Sequence, residues 1–509
     1  MNQSKNKQIA KNTIYLYIRM LLIVLVGLYT SRIILQQLGV VDYGIYNVVG
    51  GLVAMFSMMS NAVSSSTTRF LAFEIEGGAM ERLQKVFSTS LTINHILALA
   101  IIVVAECVGP WFLTHHLTIP PDRLMAAHVV FQCAVLSFGL SLIMSTYHGL
   151  IIAHEKMSFY AYMGILEVVL KCAIALMLSL SLLDKLMVYS VLLLGVQGLL
   201  LLLYMWHCRR YYGESRYILK MESALTRQMT SFAGWNMIGS SSLILRSQGV
   251  NIVINIFCGP VINAARGISF QVNSMVTQFN SSFMSATNPQ IIKLYAEGER
   301  KQYFTLIERS AKFSFFLLLM LSTPLIIECP FVLDLWLDKV PAHSVPFVQL
   351  MLIFTLFDSF SIPLYYGVEA TGRIKWYQLI VGTIQLLNLP ISYLLLAHGF
   401  APESTIVVYS ILAVICLFPR VYILQHLTNF PAHRFLTHVF LRNIVAGLIS
   451  LSGVWGVAHY CPDNGLGFMM VLCASIVWVA VVILYIGCSS EERKVLYAAA
   501  YKFWRKIVK

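Results

Sequence analysis

The sequence predicts an all-α integral membrane protein with about 14 transmembrane helices. Three observations carry that prediction. Hydrophobic residues fill 58% of the 509 positions and charged residues only 12%, against about 25% charged in soluble chains. Apolar stretches of about twenty residues, enough to cross some 30 Å of hydrocarbon, recur along the chain, and mean hydropathy is +0.74. The short gaps between the stretches alternate between basic and nearly uncharged.

In chain order the spans fall near residues 13–35, 45–66, 89–113, 126–152, 160–182, 186–206, 231–256, 264–288, 309–330, 346–370, 377–398, 404–425, 441–461 and 466–487. The second, seventh and eighth are the most polar. Lys5, Lys7 and Lys11 precede a long apolar segment without a small-x-small cleavage site, so the first span reads as a membrane helix and not as a cleaved signal.

Charge sets the expected orientation. Of the 36 Lys and Arg, only Arg123, Lys185 and Lys339 fall in loops on one side, and six more lie within spans. The rest share the other side, which the positive-inside rule places in the cytoplasm together with both termini. The net charge of +13 is thus a topology signal, and its spread over many short loops excludes a nucleic-acid partner.

The segment 207–230 carries Arg209, Arg210, Arg216, Lys220 and Arg227 and divides the first six spans from the next six. The expected organisation is an N-lobe over 1–206, a cytoplasmic linker over 207–230 and a C-lobe over 231–425. Two further spans follow over 426–487, then a tail over 488–509. At an offset of 220, Gly39, Val41, Met55, Ser65, Thr67 and Gly78 fall on Gly259, Val261, Met275, Ser285, Thr287 and Gly298. Six crossings restore the starting side, so such a duplication gives parallel lobes related by an axis along the membrane normal. In the tail, Val495, Leu496, Phe503, Trp504, Ile507 and Val508 alternate with Arg493, Lys494, Lys502, Arg505 and Lys506. That pattern predicts a basic amphipathic helix on the inner leaflet.

Charges inside hydrocarbon cost on the order of 2.5–3.5 kcal/mol each, so they need a reason within the protein. Arg246 sits mid-span in the polar run Gly239–Gln248, where a wet cavity explains both the cation and its Ser and Gln neighbours. Arg19 lies about two turns into the first span. Arg32 and Arg266 lie near the outer ends of theirs, where snorkelling is the simpler expectation, and Arg420 near an inner end is expected to snorkel too. Glu167 and Lys171, spaced i, i+4 with the acid first, predict a neutralising helical pair. Asp358, near Pro363 in the tenth span, and Glu369 are candidate ion-coupling residues. Hydroxyls and amides crowd the second span (Ser57, Ser60, Asn61, Ser64 to Thr68) and the eighth (Gln271 to Ser282, including Gln278). With Gln248 they predict a hydrophilic lining able to bond sugar hydroxyls.

No catalytic residue, cofactor or metal is expected. The G-x-x-x-x-G-K-[ST] phosphate loop is missing, and the ten cysteines are scattered without C-x-x-C spacing. His115 and His116 are adjacent but have no companion ligands at metal spacing. A membrane enzyme working at the outer face would need a sizeable outer loop for its catalytic residues, and no outer loop here exceeds roughly fifteen residues.

The run Leu38-Gly39-Val40-Val41-Asp42-Tyr43-Gly44-Ile45-Tyr46-Asn47-Val48-Val49-Gly50-Gly51, with Ser66-Thr67-Thr68-Arg69-Phe70 after it, resembles bacterial Wzx-type O-antigen and polysaccharide flippases. These belong to the MOP superfamily with the MATE exporters and the lipid II flippase. The resemblance implies two parallel six-helix lobes around a cation-lined cavity, with two peripheral C-terminal helices. It also implies an undecaprenyl-diphosphate-linked oligosaccharide cargo, an O-antigen or capsular or exopolysaccharide repeat unit, carried from the cytoplasmic to the periplasmic leaflet. Membrane lipids and other polysaccharide-assembly proteins are the implied partners. By position Arg19 matches the first-span arginine of such flippases, while Arg246 and Arg266 match by region only. The second span lacks a mid-helix arginine and has only Arg69 at its inner end. The alternative on the same fold is an ion-coupled exporter of small molecules, disfavoured for cationic cargo by the excess of buried cations.

Overall fold

A computed structural model describes residues 2–77, 80–154, 156–218, 222–223, 225–231, 234, 244–337, 339–462, 464–488 and 492–493. The side chains of residues 2–21, Arg19 included, and of Asn61 lie outside the description, as does the tail beyond Arg493. Among the described residues every regular element is a helix. The reason is physical: hydrocarbon offers no partner for a backbone amide, and a helix satisfies its own.

The helices are α1 (Asn2–Ala54), α2 (Ser57–Gly77), α3 (Met80–His115), α4 (Leu124–Ala153), α5 (Met157–Met177), α6 (Lys185–Tyr211), α7 (Val250–Cys258) and α8 (Pro260–Ala296). Then come α9 (Arg300–Ile327), α10 (Cys329–Trp336), α11 (Ser344–Asp358), α12 (Ser361–Ala370), α13 (Lys375–Leu386) and α14 (Asn388–Ala397). The last four are α15 (Ser404–Thr428), α16 (Ala432–Phe435), α17 (Arg442–Ala458) and α18 (Gly465–Val482). Eleven helical segments among the described residues are long and apolar enough to cross a membrane, and the chain is a multi-pass membrane protein. Of the fourteen expected spans, the inner part of the second and the eighth are missing from those eleven because they are polar, and the seventh because 232–233 and 235–243 lie outside the described residues. α8 runs 37 residues but carries amides and hydroxyls along much of its length.

α1 is two helices joined at Gly39, whose φ of 78° and ψ of 171° no helix contains. This is where the chain turns back from the first span into the second. α7 ends at Gly259, with φ 77° and ψ −178°, and Pro260 opens α8 at the position where a missing N–H costs nothing. The Asp184 side chain caps α6 by accepting from the amides of Leu186 and Met187.

The chain forms two compact units. The first contains Met1–Gly267 with Trp336–Ala342 and Leu386–Pro402. Within it α4 packs against α1, α2, α3 and α6, burying Phe87, Phe131, Leu142 and Leu150. α14 packs against α7 in the same unit. The start of the expected linker is strapped along α3. Gln84 Nε2 donates to the Arg216 carbonyl at 2.9 Å, the Ile218 amide donates to Ser88 Oγ at 2.9 Å, and the Tyr217 hydroxyl meets Thr92 Oγ1 at 3.0 Å. Buried Glu214 pairs with His154 at 2.5 Å.

The second unit contains Ile268–Leu335, His343–Gln385 and Glu403–Lys509. There α9 packs against α11, α12, α17 and α18, and α11 against α15, around Phe315, Leu319, Phe347 and Phe360. Buried Lys312 holds Glu492 at 2.8 Å, and Arg493 donates to the Leu484 carbonyl at 3.0 Å. In both units the exposed side chains are largely apolar, Leu99, Val103, Leu199, Ile411 and Leu448 among them, as surfaces that face lipid require.

Candidate substrate site

Between Leu245 and Gly249 the seventh span widens into a π-helical turn, a distortion that shifts the hydrogen-bond ladder by one residue and is frequent at functional sites. The turn carries Arg246, which is buried, and Ser247 and Gln248, which are half-buried. Arg266 comes from α8. It is also buried, and its Nη2 donates to the Ser247 carbonyl at 2.7 Å. The turn thus carries one buried arginine and binds a second, Arg266, through its backbone. Arg266 does not snorkel as expected: the Ser247 carbonyl, which also accepts the Val250 amide, gives it an internal partner.

A ladder of amides supports the turn. Asn255 Nδ2 donates to Asn263 Oδ1 at 3.0 Å, and Asn263 Nδ2 donates to the Asn251 carbonyl at 2.8 Å and to Asn251 Oδ1 at 2.9 Å. Asn251 Nδ2 reaches the Asn47 carbonyl at 3.3 Å, and the Thr118 amide donates to Asn255 Oδ1 at 2.9 Å. Buried amides that are mutually satisfied fix helix positions without net charge. Gln248 lies against Gly51, where an added Cβ would come within 2.6 Å of its Oε1. Several carboxylates of this unit have partners of their own. Asp42 and Asp184 bind Arg123, Glu74 binds Arg82, Glu106 accepts from Gln132, Glu167 binds Lys171 and Glu214 binds His154.

The other expected site residues fall as follows. Arg32 is half-buried on the first limb of α1. Arg19 and Asn61 lie outside the described side chains. Gln278 is exposed on the part of α8 that belongs to the second unit, and Ser274 and Ser281 are exposed at the same helical spacing. An exposed polar stripe on a helix of spanning length suits water better than lipid. Asp358 is held inside the second unit: it accepts from Ser361 Oγ at 2.7 Å and pairs with Arg420 at 3.8 Å, while Arg420 also donates to Ser361. Arg420 therefore does not snorkel; it is 4% exposed. Glu369 is half-buried beside Tyr365. The expected Glu167–Lys171 pair is formed, at 2.6 Å.

Sequence reasoning missed the asparagine ladder and the Arg123 cluster. The ladder had a signal, Asn251 and Asn255 at i, i+4, although its link to Asn47 spans 204 residues. Arg123 shows in the sequence only as a loop charge.

Solved structures share this architecture. A lipid II flippase, MurJ, in an inward closed conformation superposes with a TM-score of 0.70 at 12% identity, covering 98% of this chain and 100% of that one. The fold is that of MurJ and the MATE transporters. An inward-facing multidrug resistance MATE transporter of the MOP superfamily gives 0.63 at 12% identity over 81% of this chain and 96% of its own. A MOP superfamily transporter from Pyrococcus furiosus, described as having a binding pocket of reverse polarity, gives 0.54 at 12% identity over 84% and 94%. No protein-family model and no curated protein matches the sequence.

Proposed function

We propose that the chain is a flippase that carries an undecaprenyl-diphosphate-linked oligosaccharide across the bacterial inner membrane by alternating access. The observation that carries this reading is a π turn of a polar span that bears buried Arg246 and is bonded through its Ser247 carbonyl by buried Arg266. A diphosphate-oligosaccharide head loses its water on entering hydrocarbon, at prohibitive cost. Guanidinium groups replace that hydration with charge-assisted, bidentate hydrogen bonds, and the hydroxyls and amides of the second and eighth spans serve the sugars. Two lobes, 1–206 and 231–425, rock about the linker, the lipid tail stays in the bilayer, and both termini lie in the cytoplasm. The glycan is a repeat unit of O-antigen or of a capsular or exported polysaccharide. Asp358, held by Arg420, and Glu369 are the candidates for coupling to an ion.

Arg246→Ala, expressed at the wild-type level, is expected to lower glycan delivery to the cell surface at least about tenfold, the usual loss when one partner of a buried charged contact is truncated. Arg266→Ala and Arg19→Ala are expected to act in the same direction. Delivery at the wild-type level by Arg246→Ala would remove it from the site. Altered susceptibility to cationic drugs on deletion, with normal surface glycan, would favour the exporter reading.

A further inference from the structure

The first unit holds a cavity apart from the Arg246 turn. Its volume is about 460 Å³, within the range of pockets that take small ligands. α4 lines it with Ser137 and Ser141, one turn apart, and α6 adds the amide of Gln197. Together these supply donors and acceptors in both senses. Tyr46 of α1 and Tyr189 of α6 form an aromatic wall, their rings edge to face at 5.2 Å between centroids. Glu167 and Lys171 of α5 also line the space.

The acid and the ammonium decide the class of ligand. At 2.6 Å each already neutralises the other, so the cavity offers no net charge to a cation or to a diphosphate. What it does offer is aromatic surface, neutral hydroxyls and an amide, and a carboxylate and ammonium able to make charge-assisted bonds to adjacent hydroxyl groups. We propose that this cavity is a sugar subsite, taking a neutral, hydroxyl-rich residue of the carried glycan while the diphosphate is held elsewhere. The inference rests on the proposed lipid-linked oligosaccharide cargo. Arg123 positions the wall. It bonds Asp42, one turn before Tyr46, and Asp184, five residues before Tyr189, and so fixes the helix ends that carry both rings.

The test offers the full chain in nanodiscs two lipids, undecaprenyl diphosphate carrying one N-acetylhexosamine and sugar-free undecaprenyl diphosphate, and reads the affinity of each. The wild type is expected to prefer the glycosylated lipid about tenfold, the worth of one or two hydrogen bonds. Ser137→Ala/Ser141→Ala/Gln197→Leu should bring that ratio close to one and leave the sugar-free lipid unaffected. Should the triple variant lose folded yield, Ser141→Ala alone is read in the same way, with a smaller loss. A preference retained by the variants overturns the subsite. Equal wild-type binding of both lipids overturns it too, but leaves the diphosphate cargo standing. Binding of neither lipid removes both proposals. Stabilisation by sodium that Glu167→Gln abolishes, without any sugar preference, would assign the cavity to a cation and likewise overturn the proposal.

Discussion

The turn at Gly39 and the turn at Gly259 lie 220 residues apart and adopt the same backbone, φ 78° with ψ 171° in one and φ 77° with ψ −178° in the other. Few other positions in a helical protein have so little freedom, because this combination of angles is essentially restricted to glycine. The contacts around the turns follow the same offset. Asn47 and Gly267 are equivalent positions, and they touch: a Cβ on Gly267 would come within 2.9 Å of the Asn47 amide. Contact between equivalent positions is what a local two-fold axis produces. Around this common frame the two copies differ in chemistry. Before Gly39 the span reads Val26-Gly27-Leu28; before Gly259 it reads Arg246-Ser247-Gln248 and widens into a π turn. After the turns, Tyr46 in one copy stands where Arg266 stands in the other. Among the described side chains around the two turns, the buried cations, Arg246 and Arg266, stand at the second turn.

The largest expected effect breaks the turns themselves. Gly39→Val and Gly259→Val should each cost about 3 kcal/mol, since a β-branched residue cannot relax into this region. Denaturant unfolding of the purified chain would read both losses. A large loss at Gly259 with none at Gly39 would end the equivalence of the two turns.

Next come the close approaches beside the turns. A Cβ on Gly44 would run into the Pro260 backbone, whereas one on Gly267 meets the end of the Asn47 side chain. Backbone cannot give way and a side chain can, although Asn47 would have to strain its bond to the Tyr43 carbonyl at 2.8 Å. Gly44→Ala should therefore cost about 2–3 kcal/mol and Gly267→Ala about 1 kcal/mol. The same unfolding measurement gives the order, and a reversed order would mean that the contact at Gly267 is the rigid one.

The first turn is also held by a charged clamp. Arg123 binds Asp42 through two guanidinium nitrogens and Asp184 at 2.5 Å. Burial works to raise the Asp184 carboxyl, but its bond from Arg123 and the amides of Met187 and Leu186 prevail and hold it below the ordinary 3.8. A depressed folded value means that the stabilisation is present above the ordinary value and is lost as pH falls through the folded one. Arg123→Met should cost about 2 kcal/mol at neutral pH, between the worth of an exposed pair and a buried one. Unfolding followed against pH should show the deficit shrinking below about pH 4. A deficit that does not vary with pH would assign Arg123 a packing role.

These differences mark how much the sequence disclosed. Periodicity and charge sufficed for the spans, because hydrophobicity over twenty residues is a local property. The Glu167–Lys171 pair was equally local. Arg266 and Arg420 were misjudged for a common reason: their partners, Ser247 and Asp358, lie on other spans or on a distortion that propensity does not reveal. A π turn depends on tertiary packing, and nothing in Leu245-Arg246-Ser247-Gln248-Gly249 except its polarity announces one. The Arg123 clamp joins residues 81 and 61 positions away, beyond any local pattern. Matching glycines at 39 and 259 hinted at the shared turn, but only the backbone angles distinguish that from coincidence.

The smallest effect tests how the first copy satisfies its own backbone. In the second copy Arg266 caps the Ser247 carbonyl; in the first, Trp336 Nε1 donates to the Leu28 carbonyl at 2.8 Å. Leu28 is one position beyond the equivalent of Ser247, so both copies close the same stretch of helix with a side chain, one charged and one neutral. Trp336→Phe keeps most of the ring and removes the donor, and should cost about 1 kcal/mol, the net worth of a neutral hydrogen bond. Arg266→Met should cost more, because the bond it breaks is charge-assisted and such bonds are roughly twice as strong. Unfolding midpoints of the two variants compare the caps directly. Equal losses would mean that the charge of Arg266 adds nothing to folding, which would leave ligand binding as the reason for an arginine at that position.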